Sequence, residues 1–139
     1  MQNLAHEVLL ASKRIQSELL TLGNIPDEGL HSRTQQVLPM TLVKNTRGYI
    51  EKIVNQINGC YEQGWFDACG VMIRRLLETL LIECFEYHGK TESIKTPTGD
   101  FVFLGDLIDA ALKESSWNLG RNTRKALPRL KDVGDRSAH

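Results

Sequence analysis

Apolar residues recur at spacings of three and four along most of this chain, the period of an α-helix with one face turned inward. Leu4, Val8, Ala11, Ile15, Leu19 and Leu22 make one narrow stripe, which predicts an amphipathic helix ended by Gly23-Asn24 and Pro26. So narrow a stripe is expected to lie on the rest of the chain or on a partner. Residues 23–45 hold Gly23, Pro26, Gly29 and Pro39 without a sustained period, and read as a linker with an apolar anchor at Val37-Leu38-Pro39-Met40. The chain thus divides into an N-terminal helix with its linker, residues 1–45, and a main helical unit, residues 46–139.

From about Thr46, the residues Tyr49, Ile50, Ile53, Val54, Ile57 and Tyr61 predict a second helix closed by Gln63-Gly64, with Gly59 as an internal weak point. A third helix, about Trp65 to Tyr87, is the expected centre of the fold. Phe66, Cys69, Met72, Ile73, Leu76, Leu77, Leu80 and Cys84 give it a broad apolar face, and Ala68, Val71 and Ile82 add apolar surface on the far side. Between these faces runs a polar stripe of Asp67, Arg74 and Glu78. Burying one charge alone is costly, so Arg74 and Glu78 are expected to clasp each other; the alternative is that the stripe opens on the same cleft as the C-terminal turn.

His88-Gly89 ends that helix, and residues 90–103 read as an exposed loop whose Phe101-Val102-Phe103 tucks back into the core. Leu104, Leu107, Ile108, Ala111 and Leu112 predict a fourth helix to about Ser115. The last helix is placed from about Leu119, with Pro128 breaking or kinking it. No alternating, strand-like segment stands out. The predicted class is all-α, an up-down bundle of four to five helices with a broken C-terminal helix.

At 139 residues and 41% hydrophobic composition, the chain can bury one core. No run approaches the roughly eighteen apolar residues of a membrane span, and the first residues lack a basic-then-apolar leader, so a cytoplasmic protein without a membrane partner is expected. Cys60, Cys69 and Cys84 lack the C-x-x-C pairing of a zinc site, and Cys69 and Cys84 read as buried thiols. His6, His31 and His88 have no acidic or cysteine neighbours at ligand spacing. Neither a metal nor a cofactor is indicated.

Net charge is zero but unevenly spread. From Arg121 to His139 there are six basic residues against two acids, so this segment carries +4 and residues 1–120 carry −4. It is the one candidate for contacting a polyanion. Its end, Asp132-Val133-Gly134-Asp135-Arg136-Ser137-Ala138-His139, sets His139 at helical spacing from both Arg136 and Asp135. An aspartate one turn before a histidine can hold a ring nitrogen, and a neighbouring arginine can stabilise a phosphate.

Three stretches in this order resemble the HEPN superfamily, in particular one of its bacterial branches: W-F-D-A-C-G-V-M-I-R-R-L-L-E over residues 65–78, G-D-L-I-D-A-A-L over 105–112, and L-K-D-V-G-D-R-S-A-H over 130–139. Arg74 and Glu78 match that branch's R-x-x-x-E-like pair, and Gly134, Ala138 and His139 match its G-N-x-x-A-H-like ending, with Asp135 where asparagine is usual. The likeness spans about residues 46–139. It implies a homodimer in which polar residues of the late helix face across the axis, and a bacterial defence or toxin-antitoxin setting. Relatives usually continue past the matching histidine, which raises the expectation of a native chain extending beyond His139.

Catalytic members of that superfamily are metal-independent ribonucleases marked by R-x4-6-H. Here only two residues lie between Arg136 and His139, and nine lie between Arg129 and His139. The favoured expectation is therefore a dimeric module that binds RNA, a nucleotide or a partner protein, with Arg129, Lys131, Arg74 and Glu78 as binding residues. A metal-independent endoribonuclease is the alternative. In it, His139 oriented by Asp135 takes the proton of an RNA 2′-hydroxyl while Arg136 neutralises the developing phosphorane charge. A purely structural dimerisation domain is the third reading. No nucleophile elbow, P-loop, zinc-protease motif or dinucleotide turn is present.

Overall fold

The computed structural model describes residues 2–21 and 36–139; the predicted end of the first helix at Leu22, most of the linker and His31 lie outside them. Five helices follow one another: α1 (Gln2–Thr21), α2 (Gly48–Glu62), α3 (Phe66–Tyr87), α4 (Leu104–Lys113) and α5 (Arg121–Ala138). Short 3-10 turns occupy Met40–Leu42 and Thr91–Ile94. Among the described residues there is no strand, only an isolated antiparallel bridge between Lys95 and Phe101. The fold is all-α, a helical bundle.

α3 is the hub, touching each of the other four helices. Phe66, Cys69, Ile73, Leu76 and Phe85 are almost wholly buried along it. Its ends are set by two glycines. Gly64 and Gly89 have φ of 75° and 67°, and each closes the preceding helix with paired backbone bonds, Gly64 N to Tyr61 O with Trp65 N to Cys60 O, and Gly89 N to Glu86 O with Lys90 N to Phe85 O. Only glycine enters that left-handed region at no steric cost, so the helix breaks are local and sharp.

α1 lies on α5 and α3, and Leu4, Val8, Ala11 and Ile15 belong to the common core. The narrow stripe thus finds its surface within the chain. The Val37-Leu38 anchor is buried, and the side chain of Asn58 on α2 pins it. Leu38 N donates to Asn58 Oδ1 at 2.9 Å, and Asn58 Nδ2 donates to Leu38 O at 2.7 Å.

Two expectations from the sequence meet a different outcome. Phe101 and Phe103 do not turn into the core; Phe103 is 83% exposed, and Ile94 is the fully buried residue of that loop. The segment is extended, with Val102 N bonded to Ile94 O, so only the middle residue of the three can point inward. Pro128 does not break the last helix: α5 is helical on both sides of it. Proline frees the carbonyl of Arg124, but both residues are exposed, so that group can turn to water while Ala126, Leu127 and Leu130 hold the helix onto the core.

Candidate functional site

The basic helix α5 presents two different polar faces. At the α3 crossing each helix presents a glycine to a side chain of the other: a Cβ on Gly70 would overlap Ser137, and one on Gly134 would overlap Arg74. This close approach lays the stem of Arg74 over Gly134 and brings the next residue, Asp135, beside the guanidinium. Arg74 Nε stands 3.2 Å from Asp135 Oδ1, and Lys131 Nζ donates to Asp135 Oδ2. Arg74 Nε is shut from solvent and lacks an in-line hydrogen bond, so its attraction to Asp135 is that of charge for charge. The hydrogen bond from Lys131, with the positive charges of Lys131 and Arg74 nearby, holds the Asp135 carboxyl below its usual range.

The expected clasp of Arg74 with Glu78 does not form. Arg74 pairs across helices with Asp135, and Glu78 is half-buried without an ion pair among the described residues. Spacing along one helix allowed the pair, but the absence of a side chain at Gly134 offered Arg74 a closer carboxylate. His139 follows the last helical residue and is exposed. Asp135, meant to orient it, already has one oxygen turned to Lys131 and the other to Arg74.

The second polar face of α5 looks toward α1. Residues 129, 132, 133, 136 and 137 share it at helical spacing and, with α1, line a cleft of about 420 Å3. Arg129 and Arg136 enter from α5, and Lys13 and Gln16 from α1, over a floor that includes Leu9 and Val133. Arg129, Arg136 and Lys13 are exposed, and none makes an ion pair among the described residues. Asp132 is the acid among them. Ser12, also in the wall, is buried and donates its hydroxyl to Val8 O at 2.8 Å.

The candidate residues therefore separate. Arg74, Lys131 and Asp135 form an ion cluster at the α3–α5 crossing, Arg129 and Arg136 form the cationic side of the α1–α5 cleft, and Glu78 and His139 join neither. Lys13 and Gln16 escaped the sequence reading, and Asp132 figured in it only as the first residue of the C-terminal stretch. Gln16 stands on the flank of the apolar stripe of α1, but Lys13 lies far round the helix from it, so marking the polar residues that flank the stripe would have found only Gln16. The cleft offers three cations, one carboxylate, an amide and hydroxyls, a set suited to a ligand with anionic groups and hydroxyls or amines to share.

Among the described residues, no three His, Cys, Asp or Glu side chains gather as a metal-binding group, and no helix is long and apolar enough to cross a membrane. No family model matches the chain, and no curated protein or solved structure shows significant similarity to it.

Proposed function

We propose that this chain is a binding module for RNA or a nucleotide, and that the α1–α5 cleft is where the ligand sits. The observation that supports this reading is the convergence of Arg129, Arg136 and Lys13, none of them ion-paired among the described residues, on one cleft of about 420 Å3. Cations already matched by carboxylates have little left for a phosphate, and these three are unmatched apart from Asp132. Ligand sites of this kind usually span about 300–1,000 Å3. The resemblance to the HEPN superfamily adds a homodimer to the proposal, and a bacterial defence or toxin-antitoxin setting with RNA or a partner protein as the target.

The test is fluorescence anisotropy of a labelled single-stranded RNA, with a mononucleotide as competitor, against the parent chain and the Arg129→Ala and Arg136→Ala variants. Both variants are expected to keep the parent's melting temperature, because exposed side chains usually matter by less than about 0.5 kcal/mol. Each is expected to bind more weakly and to flatten the salt dependence by about 0.7 in log–log slope, the value of one phosphate contact on a single strand. Equal binding by parent and variants would remove the cleft from the reading. Cleavage of the RNA in the presence of a chelator, lost in His139→Ala, would replace binding by the endoribonuclease function.

A further inference from the structure

A second cleft, of about 270 Å3, lies on the same α1–α5 seam. Asn3 and His6 line it from α1, and Arg121 and Asn122 from the start of α5. Leu9 lines both clefts. The two polar clefts thus lie in line along the seam, with half-buried Leu9 between them.

We infer that this seam is a track for a short single strand of nucleic acid, one wall of which is the N-terminal helix α1. The inference rests on the binding reading above and extends it from one cleft to the whole seam. Three features carry it. First, the cations are distributed: Arg121 stands at one end, Lys13 and Arg129 in the middle, and Arg136 at the other end. Fifteen helical positions separate Arg121 from Arg136, about 22 Å at 1.5 Å per residue. At a stacked rise of roughly 3.4 Å per nucleotide, that length accommodates about six nucleotides. A single phosphate would need one cationic cluster, whereas a repeating backbone is matched by charges at intervals.

Second, packed helices leave no gap between them, so a ligand lies along the straight surface seam where α1 meets α5. A duplex strand winds through about half a turn in five or six base pairs and carries its phosphates off such a line, whereas a flexible single strand can follow it. Third, Leu9 lines both clefts and is an apolar step on which any base can rest. With cations supplying the contacts on either side of it, affinity is expected to fall steeply with salt.

The experiment titrates the full chain with labelled oligouridylates of two, six and ten nucleotides, with a six-base-pair duplex, and with uridine monophosphate as competitor, at several salt concentrations. Affinity is expected to rise about tenfold or more from the dinucleotide to the hexanucleotide and to level off by the decanucleotide, with the duplex weaker than the hexanucleotide. Arg121→Ala, in the smaller cleft, is expected to weaken the hexanucleotide several-fold and reduce the salt slope by about 0.7. Lys13→Glu, on α1, is expected to weaken it further while leaving the melting temperature unchanged. A dinucleotide or uridine monophosphate bound as tightly as the hexanucleotide, or an Arg121→Ala variant with the parent's salt slope, would overturn the track while leaving the binding reading in place. No binding by any of these probes would overturn both.

Discussion

Gly134 of α5 lies directly over the side chain of Arg74 on α3, so that a Cβ at position 134 would overlap Arg74 Cβ and stand 3.1 Å from both Cγ and Cδ. The same crossing repeats the arrangement one turn on, where a Cβ on Gly70 would overlap Ser137. Elsewhere a helical Gly→Ala change gains about 0.5–1 kcal/mol, because alanine loses less backbone entropy on folding. Here overpacking, worth about 1–3 kcal/mol, is the larger effect. Gly134→Ala is expected to destabilise the fold by about 1–2 kcal/mol in chemical denaturation. Gly59 is the contrast, since nothing lies within 4 Å of a Cβ built there, and Gly59→Ala should stabilise by about 0.5–1 kcal/mol. Equal effects at the two sites would mean that α3 and α5 do not approach this closely.

The ion cluster at that crossing makes an unequal prediction for the two residues of the R-x-x-x-E-like pair. Glu78 has no ionic partner among the described residues, so Glu78→Ala should shift stability by less than about 0.5 kcal/mol. Arg74→Ala removes a guanidinium from beside Asp135 and the stem that covers Gly134, and should destabilise by more. A double variant, Arg74→Ala with Asp135→Ala, should cost less than the two single changes added together, because each single change already removes the shared interaction. A strict sum would show that the two residues do not interact.

How far the sequence could be read here follows from which interactions are local. The period of α3 and its stops at Gly64 and Gly89 depend on neighbours along the chain, so the expected Trp65-to-Tyr87 helix matches Phe66–Tyr87 within one residue. Arg74 is different. Its partner was decided by where α5 crosses α3, and that depends on two glycines 64 residues apart in the sequence, which no helical period reports. Pro128 misled because its effect depends on whether the freed carbonyl faces water, a tertiary fact. The cleft was half visible: Arg129 and Arg136 stood out as charge, while Lys13 and Gln16 became meaningful only once α1 docked along α5.

Asn58 tests how the chain after the N-terminal helix is tethered. Its amide satisfies both the N–H and the C=O of Leu38, a residue with no exposed surface. Asn58→Leu would strand both backbone groups, and each buried unsatisfied group costs about 1–3 kcal/mol. A loss of about 2–4 kcal/mol is therefore expected if Leu38 stays buried, and less if residues 36–39 lift off to find water. Hydrogen exchange distinguishes these outcomes, since lifting would expose the Leu38 amide while leaving α3 protected. An unchanged melting curve with an unchanged Leu38 exchange rate would remove Asn58 as the tether.

The acid limb of stability should be set in part by Glu114, which sits just after α4. Lys90 Nζ lies 2.7 Å from its Oε1, and the backbone N–H of Ser116 donates to the same oxygen at 2.9 Å. The hydrogen bond from Lys90, then those from the Ser116 backbone and hydroxyl, pull the Glu114 carboxyl from its usual 4.5 to about 2. The folded pKa is thus below the unfolded one, so the unfolded chain takes up the proton first as acid is added. The contribution of this latch is complete above about pH 5, declines as pH falls through the ordinary glutamate range, and is gone below about pH 2. Asp135, also held below its usual range, acts in the same direction. Glu114→Gln should therefore be less stable than the parent at pH 7, with the gap narrowing as pH falls from 5 to 2. Urea melts of the two proteins across that range check this, and parallel curves would show that the Lys90 contact does not hold the carboxylate in solution.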